Sequence, residues 1–478
     1  MQHRHSTRGK PTRPHGIHSA RPIIVPLVIL LLLGCASDQD SLESPDYNIV
    51  LISIDTLRAD RLSLYGYGRK TSPYLEELAE EAVVFNRFFY NGGGTLPSHM
   101  TMMTSLNPRT HWVHPGNKRI LEAQRITLAE ELKEAGYTTA AYTDGGWMRG
   151  KFGFTQGFDL YDDEGGRFER ILPKAYSWLD DHHREKFFLF LHTYDVHSEH
   201  KTDLPYSCPD DLHTTYVDVE ASTFDGCRFD KCATSLLAWV NAQANSEGAA
   251  ANDFFSAEEI EFISSLYDGC INYADKKIAE VVNVLKEKGV YDKTLLIITS
   301  DHGEEFAEHG MFLHDQGAYE EYASLPLVIK FPKGRFGGER INHWASVVDL
   351  MPTVLEIVGL PTSDQAQGHS LMPTIISDLP VRQDVHMYDV LKSDRWKYFP
   401  SKKMLFDVVD DPEEKDNIYS ERPDVVAELE RRVRILVGAD VEAFEAFQGS
   451  IQSPSGEVEL SEREIENLKA LGYLTDDS

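Results

Sequence analysis

The chain has 478 residues, 41% of them hydrophobic, with 77 acidic side chains against 47 lysines and arginines. At ~150 residues per domain that length allows about three domains, or fewer in a large α/β enzyme, and the apolar content excludes a disordered chain. Five bases (Arg4, Arg8, Lys10, Arg13 and Arg21) fall within residues 1–34, which hold no acid, so the other 42 bases face all 77 acids. Such a negative surface repels nucleic acid, and no basic patch in the sequence offsets it.

The only long apolar run is residues 23–33. It is too short for a ~20-residue membrane-spanning helix and suits the apolar core of a signal peptide. Leu32-Leu33-Gly34-Cys35 resembles the lipobox of bacterial lipoproteins, in which cleavage leaves a lipidated cysteine at the new N-terminus. The expectation is a signal peptide over residues 1–34 and a lipidated polar tether over 35–46, giving an exported, membrane-anchored protein of the periplasm or cell surface. Ala36-Ser37 after Cys35 leans toward an outer membrane. An ordinary cleaved signal peptide with a chance cysteine is the alternative.

Beyond the tether, short apolar runs bounded by turn residues predict buried parallel strands at Asn48–Ile54, Tyr137–Thr143, Phe187–Leu191, Leu295–Thr299 and Leu325–Phe331. Helical patterns separate them. One opens at Ser72-Pro73, with Leu75, Leu78, Ala79, Ala82 and Val83 on one face. Another follows the capping box Thr127–Glu130 and stops at Gly136, and a longer one follows Ser256–Glu259, with Ile260 to Leu285 at helical spacing. This alternation predicts an α/β fold with a mostly parallel sheet flanked by helices. Residues 199–255, polar and cysteine-bearing, read as an insertion within a catalytic domain over 47–379. Residues 380–478, with shorter strands and a charged helix at Asp424–Leu436, read as a smaller α+β subdomain. Cys208, Cys227, Cys232 and Cys270 are expected to form disulfides in an oxidising compartment, with all three pairings open. Their spacings lack the close pair that a zinc knuckle uses.

In an open parallel sheet, ligands bind beyond the carboxyl ends of the strands. The first predicted strand ends in Asp55, a later one in Asp301-His302, and a third runs into His192-Thr193-Tyr194-Asp195-Val196-His197. Any one of these residues has a plain structural use as a helix cap. Together they set carboxylates and imidazoles on one rim, which is how a metal site is built. Gly92-Gly93-Gly94-Thr95-Leu96-Pro97-Ser98-His99 adds a glycine-rich approach to a helix with Pro97 in its first turn that runs through Met100–Thr104, with Thr95 just before an N-terminus that favours an anion. A glycine turn with a capping threonine fits those residues as well.

These motifs resemble the sulfatase family of the alkaline phosphatase superfamily, over about residues 46–474. Asn48–Asp60 resembles the family's first strand with its metal aspartate. Thr95-Leu96-Pro97-Ser98-His99 falls on the Cys/Ser-x-Pro-Ser-Arg nucleophile motif. Ser300–Glu304 with Glu308-His309-Gly310 resembles the later metal motif, and Leu405-Phe406-Asp407, Asp411-Pro412-Glu413 and Leu468–Leu474 resemble the C-terminal subdomain. The resemblance implies Asp55, Asp301 and His302 as metal ligands, with Thr95 as nucleophile and fourth contact. It puts His197 on the substrate's anionic oxygens, and His197 and His314 are expected to hold non-bridging oxygens or a second metal, with one of them protonating the leaving group. His314 stands twelve residues after His302, where sulfatases tend to have lysine and phosphoethanolamine transferases histidine. His99, His309 and His111 are further substrate-binding candidates. One or two divalent ions are implied. The nitrogen of His302 favours Zn²⁺ or Mn²⁺, while Ca²⁺ or Mg²⁺ also occur with such motifs.

Departures from the family pattern bear on the substrate. Sulfatases convert the motif's Cys or Ser to formylglycine, and threonine, with a methyl on Cβ, cannot yield that aldehyde. Gly145-Gly146-Trp147-Met148 lacks the family's lysine and histidine, and Thr56 stands in place of a second metal aspartate. The expected activity is therefore metal-dependent hydrolysis or transfer at a phosphomonoester, phosphodiester or phosphonate-like group on a lipid, glycan or small molecule. A sulfatase working without formylglycine is the alternative, and a non-catalytic lipoprotein binding module on the same scaffold is the second.

Overall fold

The computed structural model describes residues 46–198, 204–217, 224–314, 317–450, 456–471 and 473. The signal peptide, Cys35 and all of the tether except Asp46 lie outside the described residues. A sheet of nine strands organises the rest: β1 (Asn48–Ile54), β2 (Val83–Phe89), β3 (Thr138–Tyr142), β4 (Leu160–Asp162), β5 (Phe187–Thr193), β6 (Thr294–Thr299), β7 (Ser324–Lys330), β8 (Arg340–Ile341) and β9 (Ala345–Ser346). Their order is β8-β2-β7-β6-β1-β5-β3-β4, with β9 also paired to β2. The pairs around β1 are parallel, and β7 runs antiparallel to both β2 and β6.

Successive side chains of a strand point to opposite faces, so a strand buried on both faces must be apolar throughout. In β1, Ile49 and Leu51 enter one hydrophobic layer while Val50, Ile52 and Ile54 enter the other. Each such side chain contributes about 1.5–3 kcal/mol on burial. Six helices recur below: α1 (Thr95–Thr104), α2 (Arg167–His182), α3 (Ala233–Glu247), α4 (Ala257–Glu287), α5 (Pro423–Ser450) and α6 (Glu462–Ala470). Ser256 and Glu259 cap α4 reciprocally, as the sequence predicts. A four-stranded antiparallel sheet, β10 (Val385–Met387), β11 (Val390–Lys392), β12 (Trp396–Phe399) and β13 (Met404–Asp407), follows the nine-stranded one. It packs on α5 through Leu391, Tyr398, Leu405, Leu429 and Val433.

Several expectations change. The helix opened at Ser72-Pro73 ends at Leu78, and Val83 begins β2 instead of completing a helical face. The turn Ala79–Glu81 breaks the helix, and Val83-Val84-Phe85 are all buried as strand residues. The 199–255 insertion is less polar in practice than in composition, since Leu236, Leu237 and Val240 of α3 join a main core layer. Cys227 and Cys232 form a disulfide across a tight hairpin. Cys208 and Cys270 are buried thiols in hydrogen-bond contact, so of the four expected cysteines two are bonded.

Candidate active site

The carboxyl end of the parallel strands assembles the site. Asp55 follows β1, Asp301 and His302 follow β6, and His192 is the penultimate residue of β5. Parallel register brings them to one rim, because Ser53 pairs with both His192 and Thr299. Thr95 is the first residue of α1, one step deeper in the helix than the sequence suggests, and Gly94 precedes it at φ +75. Ser98, one turn on, donates its hydroxyl to the Asp301 carbonyl at 2.8 Å, tying the nucleophile helix to the β6 loop.

Asp55, Asp301 and His302 are fully buried, and one ligand atom from each lies within 4.8 Å of the others. The two carboxyls are in hydrogen-bond contact. Burial, and then Asp301, push the Asp55 carboxyl well above the usual range. Asp301 is held below it: burial opposes ionisation there, but His302, His99 and His192 outweigh it. Two such groups side by side must share a proton or a cation. Beyond that mutual contact, Asp55 Oδ1 and Asp301 Oδ2 accept no hydrogen bond from a donor among the described residues. His302 Nδ1 donates to the Gly303 carbonyl at 2.9 Å, leaving the Nε2 lone pair facing the carboxylates. Orphaned buried oxygens and an inward nitrogen lone pair fit a divalent cation.

Thr95 Oγ1 lies 3.1 Å from His302 Nε2 and reaches the Asp55 carboxyl. The Tyr473 hydroxyl is hydrogen-bonded to it at 2.7 Å. His192 Nε2 donates to Asp55 Oδ2 at 3.3 Å and orients that carboxylate. Thr56, where a second aspartate would stand, takes a left-handed φ of +57 and turns its backbone N–H to Asp301 Oδ1 at 3.3 Å. A β-branched residue in that region is strained by about 1–3 kcal/mol.

The other histidines divide by position. His197 Nε2 and His314 Nε2 lie 3.3 Å apart, with His197 Nδ1 on the Ser198 carbonyl and His314 Nδ1 on Glu304 Oε1. With both Nδ1 atoms as donors, neutral rings set two Nε2 lone pairs face to face, an arrangement that a proton or a cation between them would relieve. Burial, and then His314, hold His197 below the usual imidazole range. His99 is fully buried, with Nδ1 on the Thr95 carbonyl at 2.9 Å and Nε2 accepting from the Ser53 hydroxyl at 2.8 Å. It supports the nucleophile from behind. His111 accepts from the Val113 N–H and meets Thr101 Oγ1 midway along α1. His309 lies flat on Tyr319, ring centroids 3.6 Å apart, and clusters with Glu321 and Glu414. Among the described residues no contact joins His309 or His111 to Thr95 or to the Asp55 group.

Residues 47–360 match the family model for Sulfatase. The chain belongs to the sulfatase family. Residues 307–437 also match the model described as N-sulphoglucosamine sulphohydrolase, C-terminal. The chain is 23% identical over 464 residues to arylsulfatase K of Bos taurus, covering 82% of each. It is 24% identical over 460 residues to that of Xenopus laevis, covering 82% of this chain and 83% of the relative. The fold is similar to that of the phosphonate monoester hydrolase of Agrobacterium radiobacter, with a TM-score of 0.64 and 20% identity over 82% of this chain and 96% of that one. It is also similar to a protein solved with its substrate D-glucosamine-2-N,6-O-disulfate, with a TM-score of 0.61 and 19% identity over 85% of this chain and 100% of that one. This sulfatase-family hydrolase thus carries the rim carboxylates and imidazole in place, a threonine before them and a tyrosine from its C-terminal stretch on that threonine.

Proposed function

We propose that the chain hydrolyses a phosphorus ester, a phosphomonoester, phosphodiester or phosphonate monoester, with unmodified Thr95 as nucleophile. The observation that carries this reading is a threonine hydroxyl, 2% exposed as a residue, held against Asp55 and His302. A threonyl sulfate has no aldehyde to collapse to, whereas a threonyl phosphorus ester is resolved by a second in-line attack of water. A divalent ion on Asp55, Asp301 and His302, Zn²⁺ or Mn²⁺ by preference, would clamp the ester oxygens and offset developing charge.

Thr95 Oγ1 attacks phosphorus and its proton passes to Asp55. The bond from phosphorus to the leaving oxygen breaks, and that oxygen takes a proton held between His197 and His314. Water then attacks the threonyl ester and returns a proton to the histidine pair, while Thr95 Oγ1 departs with the proton held on Asp55. The net change is one ester bond cleaved by one water. Glu304, accepting from His314 Nδ1, stabilises the protonated histidine pair. Tyr473 donates to Thr95 and orients the lone pair that attacks.

The test uses residues 36–478 on 4-nitrophenyl sulfate, phosphate, bis-phosphate and phenylphosphonate, with EDTA treatment and Thr95→Ala as controls. The expected result is turnover of a phosphorus ester that EDTA abolishes and that Thr95→Ala lowers by at least about 10³-fold. Sulfate turnover that survives Thr95→Ala overturns the reading. It would favour direct attack of water on a sulfate ester, the second reading, which the sulfatase family match supports. Export and lipidation at Cys35 are part of the proposal, supported by the apolar run 23–33 and the Cys227–Cys232 disulfide. Labelled fatty acid should enter the wild-type chain in a bacterial host and not Cys35→Ser.

A further inference from the structure

Tyr194, whose ring packs on His192 and His197, also lines a cavity of about 260 Å³. Four arginines line that cavity, Arg149, Arg167, Arg170 and Arg463. Its two acids are spent elsewhere. Asp144 accepts from the backbone N–H groups of Gly166, Arg167 and Tyr194 at 2.7, 2.9 and 3.0 Å, and Glu164 pairs with Lys174 at 2.7 Å. Arg167 is tied to the Ser207 carbonyl at 2.6 Å, and Arg149 lies 3.4 Å from Asp163. Arg170 and Arg463 are exposed and have no ion pair or side-chain hydrogen bond among the described residues. In a chain of net charge −30, two guanidinium groups left without a carboxylate at one cavity stand out against an excess of available partners.

Gly146 lines this cavity beside Tyr194 and Leu471. A Cβ there would meet the Tyr194 hydroxyl at 2.8 Å and Leu471 at 3.0 Å, and its φ is +56, so a side chain would be strained and would fill the gap. Leu471 lines the cavity and Tyr473, two residues on, caps Thr95, so one C-terminal stretch borders both places. The geometry points to this cavity as a subsite for a second anionic group, a sulfate, phosphate or carboxylate, on the substrate whose ester reaches Thr95. Guanidinium forks match the paired oxygens of such groups. The inference rests on the ester-hydrolase reading and names its substrate class as an oligoanion.

The experiment compares the wild-type chain with Arg170→Ala/Arg463→Ala, both positions lying outside the catalytic group. The substrates are 4-nitrophenyl phosphorus esters with and without a second anionic group, one arm carrying a sulfate, one a phosphate and one a carboxylate. Wild type should favour at least one dianionic ester by about tenfold or more in kcat/KM, through KM, and the double variant should lose that preference while turning over the simple ester normally. Calorimetric titration of the full chain with benzene-1,3-disulfonate, against benzenesulfonate, reads the cavity without turnover, and the variant should bind the disulfonate about tenfold more weakly. Equal preference, or equal disulfonate affinity, in the two proteins overturns the subsite. Absence of turnover on every simple ester would sink the hydrolase reading, and the titration would still decide the subsite.

Discussion

Two hydroxyls 2.7 Å apart, Thr95 Oγ1 and Tyr473 OH, set the chemistry at the scale of single residues. Burial, and then Asp55, raise the Tyr473 phenol above its ordinary range, so it acts as a neutral donor. Tyr473→Phe keeps the ring against His197 and His314 and removes only that donor. The expected outcome is a fall in kcat of about tenfold with KM little changed, read by steady-state kinetics on the best phosphorus ester. His111 makes a different prediction. Burial holds it neutral, its pKa pushed down to about 3, against ~6.5 in the unfolded chain. Below pH 6.5 the unfolded chain takes a proton that the folded one refuses. The stability this group supports is therefore complete above about pH 6.5 and drains away toward pH 3, with about 2 kcal/mol gone by pH 5. His111→Gln should be less stable at neutral pH, yet its urea midpoint should shift less between pH 7 and pH 5 than that of wild type.

At the scale of elements, the site depends on where strands stop. Asp55, Asp301 and His302 were legible because each follows a continuous apolar run, and such runs are visible without any partner. Thr95 stood out only through the resemblance of Thr95-Leu96-Pro97-Ser98-His99 to the family's nucleophile motif, because its glycines and proline fit a capped turn as well. β2 was missed because Val83 completes a helical spacing begun at Leu75, and because Asn86 and Arg87 interrupt its apolar run. The antiparallel course of β7 leaves no trace in composition, since a strand buried on both faces reads the same in either direction. Tyr473 lies in a stretch the sequence assigned to the C-terminal subdomain, but its contact with Thr95 spans 378 residues and no local pattern encodes it. His192 was visible at a strand end, yet its hydrogen bond to Asp55 depends on the β1–β5 register. Gly303 shows how tightly the β6 loop is fitted: a Cβ there would stand 1.9 Å from the Glu321 carbonyl oxygen, which is backbone and cannot turn aside. Gly303→Ala should cost about 1–3 kcal/mol in thermal unfolding and lower turnover further, because the displaced neighbour is His302.

Across the whole molecule, two hydrophobic layers on one sheet fix the rim, and the C-terminal stretch closes over it. α6 is held by Glu464, which accepts from Lys151 at 2.7 Å, and by buried Leu468. A chain ending at residue 460 keeps both layers except for Leu468 and also loses Leu471 and Tyr473. It should retain its far-ultraviolet circular dichroism and lose at least about tenfold in kcat. Equal loss of structure and activity would mean instead that α6 is needed for folding. The −30 net charge places the work of attracting an anionic ester on local groups: the cation that Asp55, Asp301 and His302 would hold, the histidine pair and the arginine-lined cavity. The central claim is that an unmodified threonine takes the phosphorus centre. Its most direct test is rapid acid quench of wild type during turnover, followed by peptide mass spectrometry to find the covalent adduct. The expected result is a phosphorus adduct on Thr95 that forms and decays with turnover and is missing from Thr95→Ala. An adduct on another residue, or a Thr95→Ala enzyme within about tenfold of wild-type turnover, would contradict it.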